Sequence, residues 1–444
     1  MATEERKIPT VSLFRFYRNA GRILRNPLPF HHENFENLGD TFQIELGLRK
    51  PVIFSRNAAF AKYMLQTNHR NYQKSAIQTE DLAKYVGHGL LTAEGDHWKR
   101  QRKLLQPAFH KKQLVNLLDS IQSAINTELD RIRPNESMDI FPVFNALAFQ
   151  TVVKSLFSSA ASQKEIDRLQ FITEAAQKML VKELRQPYKG WWFRLSGEIK
   201  HHLNLTGEAR EILKKIVEDR KKSEIRHDDL LDMLLDARYE NGEPMTEEQL
   251  IDEILILFTA GHEPTSNALT FTAQLLASHP QYQDTIFKEV KKAGNETNSL
   301  MEFIQACSFT QNVIEESLRL YPPAYFIDRM NIEEDEFEGM TIPKGSSVLF
   351  SLYEIHRHKD LWDAPESFKP ERFADGDFSS QYFPFGAGPR KCIGNNFAMY
   401  EMILAVAELV SRYYIRTEDP EIKIKPLITL KPKQAYLIFE ERFE

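Results

Sequence analysis

Apolar residues recur every three to four positions along most of the chain, the spacing of helices that turn one face to a core. The strongest stretch opens at Thr246, where Thr246 and Gln249 stand in the Thr-x-x-Gln spacing of a capping box. Beyond it Ile254, Leu255, Ile256, Leu257 and Phe258 are apolar on every face, which predicts a buried central helix over about 246–278, ahead of Pro280. Another helix, apolar on most faces, is predicted after Gly394, with Phe397, Ala398, Met399, Ile403, Leu404 and Val406. A third, from His97 to about Leu118, is marked by charge: Lys99, Arg100, Arg102, Lys103, Lys111 and Lys112, with no acid among them. β-like runs are short, at 41–46, 51–55, 342–352 and 422–439. There is no internal repeat, Gly/Ser linker or low-complexity tract, so the pattern predicts a mainly α chain with small β-sheets, organised as one domain over 1–444.

Composition narrows the function classes. A hydrophobic fraction of 42% and a charged fraction of 27% are ordinary, and 444 residues bury a large core. A net charge of -6 speaks against a nucleic-acid binder. Acids and bases mix over the first residues and no apolar run follows, so neither a signal peptide nor a membrane anchor is expected. The only cysteines are Cys307 and Cys392, too few for a disulfide framework, so a reducing, cytoplasmic location is expected.

Cys392 changes the picture. Phe385-Gly-Ala-Gly-Pro-Arg-Lys-Cys392-Ile-Gly394 is a Gly/Pro loop that delivers a cysteine to the start of an apolar helix, whose amino end favours thiolate over thiol. Gly388 and Gly394 allow close approach to a flat ligand, Phe385 can shield the sulfur, and Arg390 can pair with an anionic rim group. Five positions, Phe385-x-x-Gly388-x-Arg390-x-Cys392-x-Gly394, match the heme-binding signature of the cytochrome P450 superfamily, a coincidence of about one in ten thousand by chance. The chain therefore resembles the soluble, bacterial-type members of that superfamily.

Three further segments carry the resemblance in order. Glu316-Ser-Leu-Arg319 with Arg372 resembles the family's structural Glu-Arg-Arg triad, which locks the loop, here about 383–394, that leads to the cysteine. Trp98 and Arg102, one helical turn apart, resemble the donors to a heme propionate, with Arg329 and His97 as further contacts. Ala260-Gly261-His262-Glu263-Pro264-Thr265 resembles the oxygen-binding segment, where an acid and a threonine relay protons. The resemblance implies heme b between two buried helices, Cys392 as the axial ligand of its iron, and oxygen insertion into a C–H bond of a small organic substrate.

One position departs from the pattern. Pro264 stands where the family usually has the threonine; proline gives no N–H to the carbonyl of Ala260 and opens or kinks the helix, and the relay hydroxyl is lost. Three readings stay open. Water held by Glu263 and the freed carbonyl relays protons; a hydroxyl on the substrate completes the relay; or the enzyme consumes hydrogen peroxide. The second suits oxidative O-demethylation of a hydroxyl-rich methyl ether such as a methylated sugar. A fatty-acid or terpenoid hydroxylase and a heme-thiolate isomerase are the alternatives. The resemblance also implies that electrons come from a separate ferredoxin or flavodoxin with its reductase, met by the basic stretch 99–112 and Lys391, and that specificity lies in 69–89 and 169–205, with Trp191 and Trp192.

Overall fold

Helices dominate the computed structural model, which describes residues 6–45, 50–158, 161–223 and 225–442. The chain divides into two compact units, one of Met1–Ser75, Glu315–Cys392 and Ile424–Lys433, the other of Ala76–Ile314, Ile393–Lys423 and Gln434–Glu444.

The first unit is built on a six-stranded sheet. Its strands run in the order Thr10–Val11, Thr41–Ile44, Val52–Ser55, Ser347–Ser351, Phe326–Asn331 and Tyr72–Gln73. Thr41–Ile44 and Val52–Ser55 pair antiparallel, with Phe42 opposite Phe54 and the two rings stacked at 5.2 Å. The Val52–Ser55 strand then pairs parallel with Ser347–Ser351. Ile53, Val348 and Phe350 sit fully buried on one face with Phe60, Met64 and Phe383. Each such side chain contributes about 1.5–3 kcal/mol through burial. The β-like runs at 41–46, 51–55 and 342–352 are found here, although the end of the first, Leu46, lies outside the described residues; the run at 422–439 is three strands, Ile424–Pro426 and Leu430–Pro432 of this unit and Tyr436–Glu441 of the other. The run at 342–352 is two strands, Met340–Ile342 and Ser347–Ser351, parted by a turn at Gly345 (φ +76°).

The second unit is helical, with a three-stranded sheet of Tyr413–Arg416, Tyr436–Glu441 and Ser137–Asp139. Its axis is the helix Glu247–Ser278, capped by Thr246 as expected, with the Gln249 N–H donating to Thr246 Oγ1 at 3.2 Å. The second half of the capping box is replaced: Gln249 Nε2 donates instead to the His88 carbonyl (3.1 Å) and to Glu253 (3.0 Å), tying a loop to the helix. Helix Phe141–Phe157 packs along this axis, and Gly261 makes room for it, since a Cβ there would stand 2.9 Å from Val152. The helix predicted after Gly394 is Asn395–Arg412, buried at Phe397, Met402, Ile403, Leu404 and Val406.

The basic helix is the main correction. The expected 97–118 is a helix Gly95–Leu105, a 3-10 turn Gln106–Phe109, a short helix Lys111–Leu114 and a second 3-10 turn Val115–Leu117. Pro107 is the cause: it has no N–H for the carbonyl four residues back, so the α ladder stops and the turn tightens.

Candidate active site

The first unit holds the cysteine loop. Gly386 and Gly388 adopt φ +70° and +67°, a region that glycine enters without strain. At Gly388 nothing else fits: a Cβ would lie 1.9 Å from the carbonyl oxygen of Leu65 in the π-helical turn Tyr63–Thr67. Gly388–Arg390 form a single 3-10 turn, and the Cys392 N–H donates to the Phe385 carbonyl at 2.9 Å, closing the loop on itself. Phe385 and Arg390 are half-buried on this loop, whereas the Cys392 side chain is accessible. The other cysteine differs in kind: Cys307 is fully buried, and burial first, then the nearby Glu289 carboxylate, pushes its thiol up to about 12. Only Cys392 combines access with a helix amino end, which begins at Asn395.

Behind the loop, the three residues expected to form a triad come together. Arg319 and Glu316 are fully buried and bidentate, with Nε–Oε2 at 2.7 Å and Nη2–Oε1 at 2.9 Å. Arg372 Nε donates to Glu316 at 3.1 Å, and the Lys369 N–H donates to the same carboxylate at 2.8 Å. Arg319 also donates to the carbonyls of His356 and Pro365 (both 2.7 Å) and Ser367 (3.1 Å), while its guanidinium lies over Trp362. His356, which the sequence reading missed, joins this cluster to the loop: the Phe383 N–H donates to its Nε2 at 3.0 Å. Burial, reinforced by the charges of Arg319 and Arg357, lowers the His356 pKa to about 3, so the ring stays a neutral acceptor. Arg329 sits half-buried on the strand Phe326–Asn331 of the same unit and donates to the Asp328 carbonyl at 2.7 Å.

The second unit carries the remaining candidates. Trp98 and Arg102 lie one turn apart on helix Gly95–Leu105, both half-buried, between the exposed Lys99, Arg100 and Lys103. Arg102 Nε donates to Gln106 at 3.2 Å, and the His97 Nε2–H donates to the His88 carbonyl at 3.1 Å. Of the basic run, Lys99 pairs with Asp96 at 2.9 Å and Lys103 with Glu240; Lys111 and Lys112 are exposed.

Pro264 lies within the central helix, which continues without interruption from Glu247 to Ser278. Leu257, Ala260, Gly261 and Pro264, spaced i, i+3, i+4 and i+7, form its accessible stripe, with Ala260 exposed in a helix otherwise largely buried. The polar neighbours turn elsewhere. The Thr265 hydroxyl donates to the Gly261 carbonyl at 3.0 Å, and the buried Ser266 hydroxyl to the Glu263 carbonyl at 2.9 Å. His262 Nδ1 donates to the Phe258 carbonyl at 2.6 Å and meets Phe149 edge-on. Glu263 is buried at about 100° around the helix from Pro264.

Two clamps were not visible in the sequence. Asp252 accepts from the His88 N–H at 2.7 Å and Glu253 from the Leu90 N–H at 2.9 Å, fixing the end of the expected specificity loop. Gly87 and Gly89 permit this approach, because a Cβ at either would collide with those carboxylates. The Gly-His-Gly run at 87–89 was the available signal. In the other expected specificity segment Phe193 is the anchored residue, buried against Tyr85, Met179 and Ile256; Trp191 and Trp192 are exposed and meet edge-to-face.

An accessible thiol three residues ahead of a helix that begins at Asn395, on a loop that Gly386 and Gly388 fold back on itself, suits a ligand bound through sulfur, so these residues fit a heme. Among the described residues there is no cluster of His, Cys, Asp and Glu suited to a metal ion, and no helix long and apolar enough to cross a membrane.

Comparisons with known proteins agree with this geometry. The family model described as Cytochrome P450 matches residues 10–439. The chain is 27% identical to a cyclooctat-9-en-7-ol 5-monooxygenase of Streptomyces melanosporofaciens, over 89% of this chain and 86% of the relative. It is 25% identical to a pentalenene oxygenase of Streptomyces avermitilis, over 92% and 91%. It is 32% identical to a cytokinin hydroxylase of Arabidopsis thaliana, over 86% and 77%. The crystal structure of the cytochrome P450DA heme domain superposes with a TM-score of 0.86 at 20% identity, covering 99% of both chains. With the family model spanning nearly its whole length, this chain belongs to the cytochrome P450 family, the heme-binding monooxygenases.

Proposed function

We propose that this P450 oxidises a small organic substrate that itself carries a hydroxyl group, by hydroxylation or by oxidative O-demethylation, with Cys392 as the residue that would hold the heme iron. The observation behind this reading is the polar inventory around Pro264. Thr265 and Ser266 spend their hydroxyls on helix carbonyls and are buried, so neither replaces the missing threonine. A hydroxyl for proton delivery must then come from the substrate, or from water at the Ala260 carbonyl that Pro264 leaves without its usual donor. A methylated sugar meets this requirement. So does a terpenoid alcohol, a second reading favoured by the relative named for cyclooctat-9-en-7-ol.

In this proposal the chain acts as one catalytic domain. As the resemblance implies, Trp98, Arg102, Arg329 and Arg390, with His97, would hold the heme propionates, and Phe385 would shield the sulfur. Held through the Cys392 thiolate, a heme would supply the oxidising chemistry, since a thiolate ligand favours O–O cleavage. The protein supplies position, dryness and protons. Ala260 and Pro264 keep this face of the helix low, so that oxygen and substrate can approach it, while Gly261 lets helix Phe141–Phe157 pack close beside them. Glu263, with His262 and Thr265 beside it, sets the polarity of the proton path. The Glu316–Arg319–Arg372 cluster with His356 holds the cysteine loop in register and is a positioning device, not a catalytic one. Electrons come from a separate ferredoxin or flavodoxin with its reductase, for which Arg100, Lys111, Lys112 and Lys391 are exposed basic contacts. A chain with only two cysteines, too few for a disulfide framework, fits the reducing cytoplasm.

The reduced, carbon-monoxide difference spectrum tests the ligand. The wild type should show a thiolate-type Soret band, and Cys392→Ser should lose it while staying folded; a retained band removes Cys392 from the role. The oxidised protein is then titrated with methylated sugars, terpenoid alcohols, terpenes and fatty acids. A high-spin shift confined to hydroxyl-bearing compounds supports the reading, and a shift with fatty acids alone overturns it.

A further inference from the structure

We propose that the helix Leu13–Arg25 is a peripheral membrane-docking element that seats the protein on an anionic lipid bilayer. None of its residues is buried, yet it carries seven apolar side chains, counting Tyr17 and Ala20. At 100° per residue they separate into two groups. Phe16, Ala20 and Ile23 lie on the inner edge, where Phe16 and Ile23 pack on the cluster of Val11, Phe30, Phe35, Phe42, Ile44 and Phe54. Leu13, Phe14, Tyr17 and Leu24 fall on an adjoining arc about 100° wide and face outward, at 40%, 75%, 67% and 40% exposure.

The cations complete the pattern. Arg18, Arg22 and Arg25 are exposed and follow directly on the outward arc, from about 120° to 180° on the same wheel. Arg15 is the exception, paired with Glu33 at 3.0 Å. The helix contains no acid, so four positive charges gather on thirteen residues of a chain whose net charge is -6.

This charge arrangement selects the occupant. Anionic lipid headgroups meet the guanidinium row while the aromatic and leucine tips enter the acyl boundary beside it, with the arginine stems reaching back to the surface. The helix is already formed and capped, with Ser12 Oγ accepting from the Arg15 N–H at 3.3 Å and the Asn26 N–H donating to the Arg22 carbonyl at 2.8 Å, so docking needs no coupled folding.

Cosedimentation of the full heme-loaded chain with phosphatidylcholine vesicles, with and without phosphatidylglycerol, tests the proposal. Binding should need the anionic lipid and fade with added salt. Phe14→Glu with Leu24→Glu should weaken it roughly tenfold or more, and Arg18→Glu with Arg22→Glu should abolish the preference for anionic lipid. All four residues are exposed, so the carbon-monoxide spectrum should not change in either variant, which separates this test from that of the thiolate ligand. Failure of the wild type to bind either vesicle overturns the proposal, as does undiminished binding by Phe14→Glu with Leu24→Glu. Concentration-dependent self-association that Phe14→Glu removes, without vesicle binding, assigns the face to a second copy and overturns it equally.

Discussion

Glu401 shows how much a single buried group can control. It is fully enclosed in the helix Asn395–Arg412, and neither carboxyl oxygen receives a hydrogen bond. Burial raises its pKa well above the usual carboxyl range, while the neighbouring Thr151 hydroxyl pulls weakly the other way without completing a hydrogen bond. The carboxyl is therefore neutral in the folded protein at pH values where the unfolded chain ionises. The sign follows from linkage: below about pH 4 both states hold the proton and nothing is lost, and stability falls as pH rises above that point. Glu401→Gln keeps the shape and removes the titration. The melting temperature of the variant minus that of the wild type should grow more positive from about pH 5 to pH 8; a gap independent of pH would mean that Glu401 is ionised in the fold.

At the scale of elements, Pro264 is the informative position, because the helix passes through it while its accessible stripe loses a hydroxyl. Pro264→Thr restores both that hydroxyl and the N–H for the Ala260 carbonyl. With a substrate that carries no hydroxyl, the share of electrons captured in product should rise by about two- to fivefold, since a positioned proton donor speeds proton transfer. The measurement is product formed, and peroxide released, per reductant consumed. Equal coupling in both proteins would place the proton path off this face. The central helix was legible in the sequence because Thr246 starts it and Pro280 stops it, and because its apolar run has no polar face. The strand Phe326–Asn331 was not, since Asp328, Arg329 and Asn331 break the alternation while backbone pairing on both sides holds the strand. The cysteine loop could be read from spacing alone. His356 could not, being 27 residues from the Phe383 N–H that it accepts, with only tertiary structure to bring them together. The break at Pro107 was legible in principle, but the unbroken run of basic residues across it suggested one helix.

On the scale of the whole molecule, buried charge holds remote stretches of the first unit in place. Glu316 alone receives Arg319, Arg372 and the Lys369 N–H. Glu316→Ala leaves two guanidinium groups without their carboxylate, one of them fully buried, and should cost about 3–5 kcal/mol of stability. Thermal unfolding should come several degrees lower and the thiolate spectrum should decay faster; a melting curve like that of the wild type would show that the cluster carries no stability. The division of the chain has a consequence for biogenesis. Neither unit is a continuous stretch, and the chain passes between them five times. In the six-stranded sheet, the strand Val52–Ser55 waits for its parallel neighbour Ser347–Ser351, nearly three hundred residues later. During synthesis its open edge must therefore remain exposed while most of the polypeptide leaves the ribosome, which makes the nascent chain a natural client for chaperones and a poor candidate for dissection into separately expressed halves.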